Sequence, residues 1–203
     1  MTRALAIAGA GNRVLASVVW LALGVFTGWQ DADRLAFEHR DRQVAEIQHD
    51  VVCVVIVLPL LFAHLGHEVT FSYSRSTQRL DQLAQNAGPG ARVATPSEAV
   101  TDADVILLAV HWTQVEHVLG QSGSLAGKVV ISCCNPLNAD DTEIVIGHTM
   151  SGAETLAARL PGAHIVAAFQ ATPSEVMFDV FAARDSALRP SLIFCGDDAD
   201  QNS

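Results

Sequence analysis

The residues best placed for chemistry in this chain begin with two glycines and an asparagine near its start. The stretch "ALAIAGAGNRVLA" (4–16) reads as a short apolar strand running into a tight turn. Gly9 permits the turn and Gly11 lets the backbone come close to a pyrophosphate. Together with Asn12 they present backbone N–H groups at a helix N-terminus, a favourable place for phosphate. The dinucleotide fingerprint G-x-G-x-x-G puts a third glycine where Val14 stands, so the loop is a two-glycine variant. An ordinary βα turn is the plainer reading of the same residues.

A second cluster follows the strand-like run "HEVTFSYS" (67–74). Ser74, Arg75, Ser76 and Arg79 make a cationic, hydroxyl-rich cup at the end of what would be the second strand. An acidic residue there accepts from a ribose 2′-hydroxyl, whereas arginine holds a 2′-phosphate. The cup therefore points to NADP. A rival register places the second strand at 24–29, with Asp31 about 20 residues beyond Gly9, the NAD-type spacing. A solvated loop arginine and a helix-face arginine remain the plain alternative.

Two further groups end apolar runs. "DVILLAVHW" (104–112) brings Val110, His111 and Trp112 to the carboxyl end of a strand, where open parallel sheets bind ligands. His111 could act as acid or base, and Trp112 could wall a ligand or simply pack. "KVVISCCNPL" (128–137) ends on Asn135, which can hydrogen-bond an amide or ribose, and Pro136, which fixes a turn. The eight histidines and four cysteines show no metal-ligand spacing. "NADD" (138–141) and "GDDAD" (196–200) read as solvated loops rather than a metal cage.

The elements that must position these residues alternate. Strands are expected at 67–74, 92–94, 104–110, 128–134, 164–169 and 191–196, and helices at 76–88, in "TPSEAVTDAD", in "WTQVEHVLGQ" and at 151–160. Such alternation implies right-handed βαβ units and a doubly wound, parallel, Rossmann-like α/β sheet. Residues 13–65 fit less well. "DADRLAFEHRDRQVAEIQHD" (31–50) could form an exposed amphipathic helix, and "VVCVVIVL" (51–58) reads as a buried strand stopped by Pro59. The expected organisation is one NAD(P)-binding domain over 1–203, irregular at about 13–65.

Bulk properties exclude several classes. The chain has 203 residues, half of them hydrophobic, and a net charge of −10. That charge disfavours non-specific nucleic-acid binding, which needs a basic surface. The apolar runs 14–26 and 51–66 are shorter than the ~20 residues of a spanning helix. A cytoplasmic protein with reduced thiols is expected, acting on small-molecule coenzymes, with a homodimer consistent with its apolar excess.

"AIAGAGN", "GHEVTFSYSR", "DVILLAVHW", "GKVVISCCNPL", "GHTMSGAETLAARLPGAHIVAAF" and "LIFCGDDAD" occur in this order. The order resembles the NADPH-dependent coenzyme F420 reductase (NADP oxidoreductase) family. The resemblance implies a Rossmann fold, NADPH as cofactor, and coenzyme F420 as the partner in hydride transfer. It also implies that Ala168 and Phe169 lie near the nicotinamide, where small and flat residues leave room for two stacked rings. Two departures stand out: His111 replaces a usual proline and Gln170 a common asparagine. Moreover, Gly9 and Gly66 are more than twice the usual ~20 residues apart, and the family continues beyond "CGDD", where this sequence ends at Ser203. A degenerate, non-catalytic dinucleotide module and a membrane-anchored metalloreductase-like domain are the alternative readings.

Overall fold

The computed structural model describes residues 17–21, 50–73, 76–172, 177–187 and 191–196. In chain order the elements are β1 (Ser17–Leu21), α1 (Asp50–His64), β2 (Glu68–Ser72), α2 (Thr77–Ala87), β3 (Ala91–Val93), α3 (Pro96–Thr101), β4 (Val105–Leu108), a 3₁₀ turn (Trp112–Gln114), α4 (Val115–Ser122), β5 (Val129–Ser132), α5 (Gly152–Arg159), β6 (His164–Ala168), α6 (Met177–Ala182) and β7 (Phe194–Gly196). They form one seven-stranded sheet ordered β3-β2-β1-β4-β5-β6-β7. The direction of the crossovers reverses between β1 and β4, which makes that junction the topological switch point.

Register places the strand ends level. Leu21 of β1 pairs with Ser72 of β2 and Leu108 of β4, and Leu108 pairs with Ser132 of β5. The loops leaving β1, β2, β4 and β5 therefore start from one rim. Side chains alternate across the sheet, as period-two geometry demands. Ile106, Leu108 and Val130 pack with Val115 and Val118 of α4 and Leu156 of α5. On the other face Val69, Phe71 and Leu107 pack with Val57 and Leu58 of α1 and Leu80 and Leu83 of α2. Ile106, Leu107 and Leu108 are fully buried, as expected for a strand covered on both faces.

Local chemistry sets the helix starts. Thr95 and Glu98 form a capping box on α3, and Ser151 and Glu154 form another on α5. Each satisfies N–H groups that a first turn leaves without intrahelical partners. Ser76 caps α2 by accepting from the Arg79 N–H. Lys128 Nζ donates to the carbonyls of Thr101 and Ala103 at the far end of α3, at 3.3 and 2.7 Å.

Several expectations are corrected. The run 51–58 is not a strand; it lies inside the 15-residue helix α1, which carries Pro59 within it. Composition cannot separate a short buried strand from a buried helix, and here length decides. β7 pairs antiparallel with β6, so the sheet is mixed at one edge. The strand between β2 and β4 is Ser17–Leu21, not the apolar run ahead of Gly9, which lies outside the described residues. The rival strand at 24–29 lies outside them too. Helix α6 lies in a stretch for which the sequence predicts no element. Among the described residues, no helix is long and apolar enough to cross a membrane.

Candidate functional site

The candidate site is the rim where β2, β1, β4 and β5 end together. Gly9, Gly11, Asn12, Ser74 and Arg75 lie outside the described residues, so the rim is built here from its other members. β4 delivers Ala109, Val110 and His111. Val110 is only 1 % exposed and belongs to the core beside Val115 and Leu108. It can meet a ligand through its backbone only.

His111 is held at both ring nitrogens. The Thr113 N–H donates to Nδ1 at 3.3 Å, and Thr113 Oγ1 lies 2.7 Å from the same atom. With Nδ1 accepting, the ring proton sits on Nε2 and is donated to Asp141 Oδ1 at 2.9 Å. Asp141 belongs to the long β5–α5 loop and has a left-handed φ of 57°. His111 thus ties the β4 end to that loop; both its nitrogens are spent within the protein. These bonds give His111 a positioning role between the β4 end and the loop. Nothing in the sequence pairs the two residues, which are 30 apart.

Trp112 is a packing residue. A methyl group added to Gly152 would lie 3.4 Å from Trp112 Cζ3 and 3.5 Å from Pro136 Cδ. The indole therefore lies against the first residue of α5 and the turn after β5, and it joins the core on the α4 side. Asn135 is half-buried on the same turn, and its backbone carbonyl accepts from the Leu137 N–H at 2.8 Å. Its side-chain amide makes no hydrogen bond among the described residues. Asn138 organises the loop beyond, its Oδ1 accepting from the Thr142 and Glu143 N–H groups at 2.9 and 3.3 Å.

β6 contributes Ala168 and Phe169. Ala168 is buried, while Phe169 has φ 66° and packs against the α1–α2 core. Gln170 Nε2 donates to the Cys134 carbonyl at 3.1 Å, linking the β6 and β5 ends. Arg79 lies in the first turn of α2, half-buried, three residues after the Ser76 cap. The two thiols at the β5 end are not nucleophiles. Burial, and then the neighbouring thiol, push Cys133 far up; burial pushes Cys134 up to about 11. A thiolate is the reactive form, so both are inert near neutral pH.

Tyr73 and His117 were not singled out by the sequence. Tyr73 directly follows β2 with φ 61° and is buried; its hydroxyl meets His117 Nδ1 on α4, 44 residues away. Among the described residues, no group of three or more His, Cys, Asp or Glu could hold a metal ion.

This topology is similar to that of solved reductases. A protein provisionally named an F420-dependent NADP-reductase from Arthrobacter sp. FB24 matches with a TM-score of 0.63 and 21 % identity, over 91 % of this chain and 74 % of that one. A protein of unassigned function from Sinorhizobium meliloti matches at 0.61 and 18 %, over 91 % and 75 %. A reductive aminase from Aspergillus terreus, solved with NADPH and ethyl-5-oxohexanoate, matches at 0.54 and 15 %, over 92 % of this chain and 48 % of its own length. These likenesses establish the Rossmann-type fold. The segment 58–136, which runs from α1 through β5 to Pro136, matches the family model "NADP oxidoreductase coenzyme F420-dependent".

Proposed function

We propose that the chain binds NADP(H) across the level ends of β2, β1, β4 and β5 and exchanges hydride between it and a deazaflavin coenzyme of the F420 type. The observation that carries this is the switch point between β1 and β4, lying within reach of the segment that matches the family. The donor set fits a dinucleotide. Backbone at Ala109–His111 borders the crevice, and the half-buried Asn135 amide makes no hydrogen bond among the described residues. The sequence adds the Ser74–Arg75 pair after β2, suited to a 2′-phosphate.

When bound, the cofactors supply the hydride chemistry themselves. What the chain contributes is position. His111 and Asp141 hold the β5–α5 loop to the β4 end. Trp112 wedges that loop against α5, and the Gln170 bond to the Cys134 carbonyl sets the spacing of β5 and β6. Asn135 orients the carboxamide or ribose. No residue of the rim is asked to move a proton.

The test is a calorimetric titration with NADPH and then NADH, followed by an absorbance assay of F420 reduction. Preferential NADPH binding with turnover supports the proposal. A folded protein that binds neither nucleotide refutes it.

A further inference from the structure

Tyr73 breaks the alternation of its own strand. Val69 and Phe71 point to the α1–α2 face, so Tyr73 should follow them. Its left-handed φ of 61° turns the ring to the opposite face instead, where it joins the α4 core. Tyrosine does not adopt that conformation without cost, and such outliers cluster at ligand sites. Here the turn carries the ring to His117 in an edge contact, ring centres 5.5 Å apart and planes at 61°.

His117 then has no polar atom to offer a ligand. Gln121 Nε2 donates to His117 Nε2 at 3.0 Å, which leaves the ring proton on Nδ1 for the Tyr73 hydroxyl. The histidine is nevertheless exposed. An imidazole fixed at both nitrogens and open to solvent presents only a flat face. Its place in the fold says what would lie there. Tyr73 leaves β2, and His117 lies in the first turn of α4 after β4; β2 and β4 flank β1 and end level with it. The end of β2 is where dinucleotide folds read the adenosine ribose.

We infer that His117 is the stacking platform for the adenine base of bound NADP(H), and that Tyr73 is the positioning residue that sets its ring. The inference rests on the NADP(H) reading above. Base stacking on an aromatic side chain is worth roughly tenfold or more in affinity.

The experiment measures calorimetric Kd values of the full chain for NADPH, for 2′,5′-ADP (the adenosine half) and for nicotinamide mononucleotide. In His117→Ala, NADPH and 2′,5′-ADP should both weaken by roughly tenfold while nicotinamide mononucleotide is unchanged. His117→Phe, which keeps a flat face without a hydrogen bond to Tyr73, should recover most of the loss. Tyr73→Phe should weaken 2′,5′-ADP by roughly threefold, the worth of one hydrogen bond. If the wild type binds NADPH and His117→Ala binds 2′,5′-ADP equally well, the platform is overturned and the NADP(H) reading stands. Equal weakening of both halves, or no recovery in His117→Phe, overturns it too. If the wild type binds none of the three, both readings fall.

Discussion

Removing the Trp112 indole separates packing from ligand contact on one protein. Full burial of tryptophan makes its truncation to alanine cost about 3–5 kcal/mol. Trp112 is half-buried, packed on Gly152 and Pro136 and against the α4 core, so about 2 kcal/mol is expected for Trp112→Ala. For a domain of this size that corresponds to a fall of about 4–8 °C in Tm. The same packing sets a second expectation. A methyl on Gly152 would sit 3.4 Å from Trp112 Cζ3, already at close contact. Gly152→Val should then destabilise the wild type by about 1–2 kcal/mol through overpacking, and less in the Trp112→Ala background, where the space is open.

The assay is urea denaturation of the two single variants and the double, read together with NADPH affinity. Packing predicts coupling of at least about 0.5 kcal/mol between the sites and an affinity loss no larger than a few-fold. The reasoning is refuted if Trp112→Ala changes stability by less than about 0.5 kcal/mol while NADPH binding collapses. That result would make the indole a ligand wall.

Three other outcomes are expected. A β-carbon on Gly196 would lie 2.8 Å from the Ile165 carbonyl oxygen, so Gly196→Ala should push β7 off the sheet edge at about 1–3 kcal/mol, seen as faster amide exchange in β7. A thiol reagent at neutral pH should modify exposed Cys195 in the native protein, and Cys133 and Cys134 only after unfolding, as mass spectrometry would show. Both capping carboxyls are held below the usual carboxylate range, Glu98 by the Thr95 hydroxyl and N–H and Glu154 by the Ser151 N–H and hydroxyl. A lowered folded pKa gives stability that is present above the unfolded value and lost as pH falls through the folded one. The Tm should therefore drop between about pH 5 and 3, less steeply in the Glu98→Gln/Glu154→Gln variant.

What the sequence reveals follows from the range of the forces involved. The capping boxes at Thr95–Glu98 and Ser151–Glu154 are three-residue devices, and both helices start where that spacing puts them. β4 is an apolar run between polar stops, and it forms within two residues of its expected limits. α1 hid because it is apolar throughout and β-branched, so no polar face gave a helical period. β1 was hidden for a related reason: "ALAIA" and "SVVWL" are both short apolar runs, and no local feature favours the second as the partner of β2 and β4. At the site, the apolar run 104–110 puts His111 and Trp112 at the β4 end, where the structure has them. Their partners Asp141 and Gly152 come from 30 and 40 residues later, brought near by the fold alone.

The distribution of backbone strain gives an independent reason for placing the ligand at this end of the sheet. The described glycines with positive φ, Gly66 and Gly162 among them, lie in the connections that lead from a helix to the next strand, where glycine takes that conformation freely. Of the four described non-glycine residues with positive φ, Tyr73 directly follows β2 and Phe169 directly follows β6, while Asp141 and His148 lie in the long β5–α5 loop. Each such residue costs on the order of 1–2 kcal/mol. The amino-end turns could thus be made by stability alone, with the residue that suits them. The carboxyl-end turns hold aromatic and polar side chains in a conformation those side chains disfavour. A turn that keeps a tyrosine or phenylalanine where glycine would fold better is keeping the side chain for what it faces. Tyr73 faces His117, Asp141 faces His111, and Phe169 packs beneath the β6 end. The strain at Tyr73, Phe169 and the His111-bound Asp141 is spent along one rim, and it is the rim at which the crossovers reverse.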